Sequence, residues 1–481
     1  MNRTIVMLLA RQCWKNAFHT RAIYSILVVM LLVMGYAAYS GWKAYTQQNS
    51  MREHYQRAAR ASWEENPDKH PHRMAHFGTF AFRIKHPLSV FDVGLESFTG
   101  NAVFLEAHKQ NTINFSEASF STGLLRFGEI SLAMLLQILL PLIIVFLGFS
   151  TIAADRENGT LKILLTQGAG WREILAGKSL GLFALALLVV VPAFAVTILL
   201  LAAAGAPFTA DLAGRLAATV LVYVVFLAVV CMVTVAISAG SASSKGALMK
   251  LLGWWLLLAV LLPRTSQALG SYFYPAPARV AFDAAIEEDV LRQGDSHNPD
   301  DPHYKHLRDS VLRVHGVDSV EHLPFNYSGF VMREGERISA EIYQQHVQQL
   351  THLYDKQNSL TTATALVNPF TAIRNLSMAL AGTDAEAYQV FQDEAEAYRY
   401  ALAQKMNALQ MELISNRKPG PKDVPLAIPH DHWKKVPDFK SQPVALGTSL
   451  RGVWFSALAL LLWCAAACGW LGRISQTLKA L

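Results

Sequence analysis

Only four cysteines occur in 481 residues, Cys13, Cys231, Cys464 and Cys468, and none falls in the two long hydrophilic stretches 43–129 and 264–451. Those stretches must fold without disulfides, on their apolar cores alone. Cys464 and Cys468 stand one helical turn apart, a spacing read as small residues at a helix contact rather than a redox pair. The patterns that carry chemistry are missing as well. There is no H-E-x-x-H, no Gly-x-Ser-x-Gly elbow and no closely spaced Cys and His set, so no catalytic residue and no metal ligand is assigned, and the chain is not read as an enzyme. Gly177-Lys178-Ser179 copies the end of a phosphate loop, but Arg172 stands where that loop needs its earlier glycine. No cofactor or nucleotide site is assigned. Neither hydrophilic stretch carries a basic stripe interleaved with aromatics, which excludes nucleic acid as a partner.

Charge is also lacking where it matters most. Six apolar runs, Ala22 to Trp42, Ile130 to Ile152, Ser179 to Ala204, Leu216 to Ala239, Ala247 to Pro263 and Gly452 to Gly472, have interiors free of Asp, Glu, Lys, Arg and His, Lys250 standing within the first turn of the fifth and Gln137 being the main polar exception. Each run is near the roughly 20 residues that cross a hydrocarbon core of about 30 Å. The expected fold is therefore mainly α: a six-span helical membrane protein in a lipid bilayer. Ion-coupled pumps need ionisable groups inside the membrane, so energy is expected to come from a partner.

Cations near span ends stay on the cytoplasmic side. Arg3, Arg11, Lys15, Arg21, Arg156, Lys162, Arg172, Lys178, Lys245, Lys250, Arg473 and Lys479 all fall in segments that alternate to one face, against Asp155, Glu157 and Glu173. That face carries a net +9 within a chain of net +6, so the basic balance is a topological signature. Both termini are expected in the cytoplasm. Ahead of the first run, Val6, Leu9, Cys13 and Trp14 or Phe18 share one helical face while Arg11, Gln12, Lys15, Asn16 and His19 share the other, the pattern of an interfacial elbow helix over 1–21.

The order expected is thus the elbow 1–21, span one at 22–42, a first extracytoplasmic domain at 43–129, spans two to five at 130–263 with a cytoplasmic connection at 153–178, a second extracytoplasmic domain at 264–451, span six at 452–472 and a tail at 473–481. Both outer domains read as largely helical. Phe391, Ala395, Tyr398, Leu402, Met406, Leu409 and Leu413 recur at spacings of 3 or 4, and Tyr343, Val347, Leu350 and Tyr354 make a shorter stripe of the same period. The two helices are expected to pack on each other. Asn368-Pro369-Phe370 opens the apolar run Thr371 to Leu380, which Gly382 stops, a helix expected to rest on the outer leaflet. The stretches 298–302 and 418–429 read as loops. Of 16 histidines 15 lie in the hydrophilic stretches, including His70, His72, His76, His430 and His432, but apolar runs exclude histidine anyway. They are read as surface and packing residues.

In the connection between spans two and three, Asp155-Arg156-Glu157-Asn158-Gly159-Thr160-Leu161-Lys162-Ile163-Leu164-Leu165, followed by Gly177-Lys178, resembles the E-x-G-T-L-x-x-L-L … G-K pattern of type-2 ABC transporter permeases. The resemblance implies that this connection is a coupling helix docking in a groove of a cytoplasmic ABC ATPase, with Arg156, Glu157, Gly159, Thr160, Leu161 and Lys178 as the coupling residues. It also implies that ATP and Mg are bound by that partner, that a second copy or a related permease completes the transporter, and that the site of action is the bacterial inner membrane. A narrower resemblance, to a subgroup with large insertions after spans one and five, rests on Trp63 through Pro71-His72, His86-Pro87-Leu88 to Gly94, Arg126-Phe127-Gly128, Asn368-Pro369-Phe370 to Gly382-Thr383-Asp384, and Tyr398-Arg399. It says nothing of cargo. The other reading the sequence allows is a membrane-anchored assembly or sensing module for a periplasmic metal or client protein.

Overall fold

The computed structural model describes residues 1–19, 21–107, 110, 130–296, 298, 300–417 and 426–477. Arg126-Phe127-Gly128, Lys479 and the 418–425 part of the expected linker lie outside them. The fold is mainly α. Among the described residues six helices are long and apolar enough to cross a membrane, and they are numbered here as spans one to six: Ile23–Glu64, Leu132–Glu157, Trp171–Ala203, Ala210–Ala239, Ser244–Phe273 and Trp454–Thr477. This is a multi-pass membrane protein.

Local chemistry sets the span ends. The Thr209 hydroxyl accepts the Leu212 N–H at 3.2 Å to start span four, and Ser243 does the same for Gly246 at 3.2 Å before span five. Gly205, at φ 67°, takes the left-handed turn that lets span three end. Spans two, three and four are the most buried and form the interior of the bundle, with one, five and six at its rim.

The elbow helix, Arg3–His19, lies across the start of span three and buries Val6, Leu9, Ala10 and Cys13. A Cβ on Gly177 would stand 2.6 Å from that of Leu9, and one on Gly181 2.7 Å from that of Cys13. Only glycine allows so close a crossing. The elbow, the 153–170 connection and the 240–243 turn gather at one end of the bundle, and both hydrophilic segments at the other.

Span one does not stop near Trp42. Its helix runs unbroken over Arg21–Glu64, 44 residues, or about 66 Å at 1.5 Å per residue. The polar second half projects beyond the bundle and packs on the other hydrophilic segment: Trp63 donates to the Trp433 carbonyl at 3.2 Å, Gln56 to that of Phe439 at 3.1 Å and Arg60 to that of Lys434 at 2.9 Å. A small antiparallel hairpin of β1 (Thr79–Phe82) and β2 (Ala102–Leu105) supplies Ala81, Val103 and Leu105 to a core completed by Phe391, Ala395 and Phe439. A second core joins Trp63, Met74 and Ala75 to Leu402, Met406, Ile428 and Trp433. The two hydrophilic segments therefore build one shared module, where the sequence reads as two domains; a core made of side chains some 300 positions apart leaves no local trace.

Within the module the stripe from Phe391 to Leu409 lies on one helix, Ala385–Leu413, as expected, with Leu413 exposed at its end. The helix Tyr327–Ala363 meets it through Gly329, Arg333 and Glu336. Its Tyr343–Tyr354 stripe reaches the same helix, with Tyr343 beside Glu396 and Arg399 and Tyr354 near Tyr388, while other positions bind elsewhere: His346 bonds Asp289 of helix Arg279–Gln293 at 2.8 Å, and the Gln357 backbone packs against Gly270 of span five. Pro369–Ala381 does not rest on a surface. It is wedged among spans four, five and six, with Phe370 edge-on to Phe226 and Trp254 at 5.3 and 5.5 Å. Its residues are small or apolar on nearly every side, and a helix apolar all round is a buried one.

Candidate functional site

The connection between spans two and three folds as two short helices, Ala153–Glu157 and Thr160–Thr166. Gly159 joins them at φ 75°, which a side-chain-bearing residue adopts at a cost of roughly 1 kcal/mol. Leu161 is 1% exposed and anchors the second helix in the main core, leaving Lys162, Ile163, Thr166 and Gln167 facing away from the bundle. Thr160 is the half-buried first residue of that helix.

The three charged residues expected here are engaged within the chain. Arg156 donates to the Ala239 carbonyl at 2.8 Å and to that of Ser241, so it closes the end of span four. The Glu157 carboxylate accepts the Ser244 N–H at 3.1 Å and the Ser244 hydroxyl, capping the start of span five, where a negative charge meets the positive end of the helix dipole. Lys178, 3% exposed, pairs with Asp155 at 2.8 Å. One residue the sequence did not single out completes the clamp: the Ser238 hydroxyl accepts the N–H groups of Ile152 and Ala153 at 3.1 and 3.2 Å and donates to the Phe149 carbonyl at 2.7 Å. A serine inside an apolar run was the available signal. The connection is thereby fastened to spans three, four and five at once.

Two spans carry a π-helical turn directly before a proline: Leu135–Leu139 before Pro141, and Leu256–Leu261 before Pro263. Proline lacks an N–H, so a wider turn accommodates the missing rung. The carbonyls in these turns find donors outside their own helix. Trp255 donates to Ile138 at 3.1 Å, and the fully buried Asn368 donates to Leu258 at 2.8 Å while capping its own helix through the Phe370 N–H at 3.0 Å. Between these turns and the module runs a buried polar line. Gln137 donates to the Tyr223 hydroxyl at 2.7 Å, Tyr223 meets Ser377 at 2.9 Å, and Ser377 bonds the Asp92 carboxyl, whose pKa burial pushes up.

Arg215, at the module end of span four, is fully buried. Its guanidinium reaches Asp211 at 2.7 Å, the Ala379 and Leu380 carbonyls at 3.1 and 3.0 Å, the Val444 carbonyl and the Ser449 hydroxyl at 3.2 Å. Asp211 also accepts the Leu446 N–H at 2.9 Å. His86 Nε2 lies 3.8 Å from Asp211, and burial, followed by the Arg215 charge, lowers its pKa to about 4. The signal for Arg215 was its place: a cation on the end of a span where the charge bias predicts none.

Residues 279–442, about a third of the chain, match a family described as a domain of unknown function (DUF3526). They cover most of the hydrophilic segment between spans five and six. No curated protein matches the chain.

Proposed function

We propose that this chain is the membrane-spanning subunit of an ATP-driven ABC transporter, coupling hydrolysis by a separate cytoplasmic ATPase to export or to mechanical work on the far side of the bacterial inner membrane. The observation that carries this reading is the clamped connection 153–178: an exposed surface of Lys162, Ile163, Thr166 and Gln167 backed by ties to three spans. A partner pressing on that surface moves the ends of spans three, four and five together. In this reading Leu161 anchors the helix, Gly159 sets its angle, and Arg156, Glu157 and Lys178 transmit the displacement. The π-helical turns in spans two and five are where a helix yields most easily, since their backbone bonds already run partly to side chains of neighbouring elements. Asn368, Ser377 and Arg215 would pass the motion into the module. A second copy or a related permease would complete the pathway, with both termini cytoplasmic.

The test is co-purification from native membrane with mass spectrometry, followed by ATPase assays of the assembled complex. Glu157→Lys removes the cap of span five and is expected to leave membrane insertion intact while abolishing the dependence of hydrolysis on the permease. Coupling unchanged by this substitution would remove Glu157 from the relay, and recovery of the chain without any ATPase would remove the transporter reading.

A further inference from the structure

Two histidines of the module bring their ring nitrogens within hydrogen-bond distance of each other. The short helix Pro71–Ala75 is fixed from both sides: His70 Nδ1 accepts the His72 N–H at 3.2 Å, Pro71 occupies the first turn, and Met74 and Ala75 are buried in the shared core. His72 and the helix-capping His76 sit one turn apart, with Nε2 atoms 3.3 Å from each other and ring planes at 86°. Two imidazole nitrogens bound to one tetrahedral ion at about 2.0–2.1 Å stand about 3.3 Å apart, whereas the right angle of a square-planar site would bring them to about 2.9 Å. The observed separation fits the tetrahedral case.

We propose that His72 and His76 form a two-histidine site for a divalent ion of tetrahedral preference, zinc being the expected one. Nothing in the transport reading requires it. His76 is exposed and His72 half-buried, so an ion can enter from solvent. His72 also lines, without His76, a cavity of about 360 Å³ with His70, Tyr327, Met332 and Asn416. Among the described residues no group of three or more His, Cys, Asp or Glu side chains is arranged around one point, so water or a donor atom of a bound molecule completes the shell. Such a site is open and exchangeable, unlike a closed structural zinc site.

The experiment uses the full chain in detergent micelles, free of any histidine tag and stripped with a chelator, titrated with zinc by calorimetry and with cobalt by visible absorption. One zinc per chain is expected, with the intense absorption of tetrahedral cobalt. His72→Gln and His76→Gln should each weaken zinc binding at least about tenfold, the lower end of what losing even an outer-shell partner costs. A His430→Gln, His432→Gln double variant should bind as the wild type does. Because His76 is exposed, its replacement leaves the core in place, and an unchanged elution volume and helical spectrum verify this. No zinc uptake, or uptake equal in the His76→Gln protein, would overturn the site.

Discussion

At the scale of single residues, the side chain with the most to lose is Arg215. Its five acceptors come from span four, the buried helix Pro369–Ala381 and the 444–449 return to span six, so one guanidinium holds three parts of the chain together. Removing it leaves buried carbonyls without donors, each costing about 1–3 kcal/mol. Arg215→Leu is expected to destabilise by about 3 kcal/mol or more, seen as a lower thermal midpoint of the solubilised protein. Arg215→Lys should recover only part of this, since a single ammonium cannot span the planar fork. Arg399 makes a comparable buried cluster inside the module, reaching Glu336 and Glu396 at 2.7 Å each. Both arginines satisfy backbone or carboxylate groups that the fold has already taken out of water.

At the scale of elements, the crossing of the elbow helix over span three depends on the absence of two side chains. A Gly181→Val substitution would drive a branched side chain into the space held by the Ala10 carbonyl at 2.8 Å and by Cys13. The elbow should lift. In a background lacking Cys231, Cys464 and Cys468, the Cys13 thiol is buried and expected to resist maleimide in the wild type and to react in the Gly181→Val protein. Equal protection in both would mean that the elbow can shift without losing its seat. This contact was only half legible beforehand: the amphipathic period located the helix and its apolar face, but not the glycines that receive it. The same holds for Pro369–Ala381, whose composition marked it as apolar and whose position among the spans came from Asn368 and Phe370 contacts with residues more than 100 positions away.

For the whole molecule, the question is how the hydrophilic module stays joined to the bundle. His86 is part of that joint, facing Asp211 and Arg215 of span four, with Leu88 N–H donating to its Nδ1 at 3.2 Å and Gly382 against its ring. Its pKa of about 4 lies below the ordinary 6.5, so between those values the unfolded chain binds a proton that the folded one does not. Stability must then fall as pH drops from about 6.5 toward 4, and be restored as pH rises. The buried carboxyls of Asp92 and Asp384 have raised pKa values and work in the opposite sense, but a His86→Gln variant keeps them. The expected result is a smaller loss of thermal midpoint between pH 7.5 and pH 5 for His86→Gln than for the wild type. An equal loss would place the acid sensitivity elsewhere.

The amino-acid order alone determined the six spans, the elbow and the Phe391–Leu409 stripe, because each follows from hydropathy or period within a few turns, whereas the connection expected as one coupling helix is divided in two at Gly159. Tertiary structure alone decided that the two hydrophilic segments share their cores, that Arg156 and Glu157 seize the ends of spans four and five, that Asn368 supplies the Leu258 carbonyl, and that Arg215 binds what it does. Those outcomes turn on which buried polar group lies beside which donor across long separations in the chain, and no local pattern encodes that adjacency.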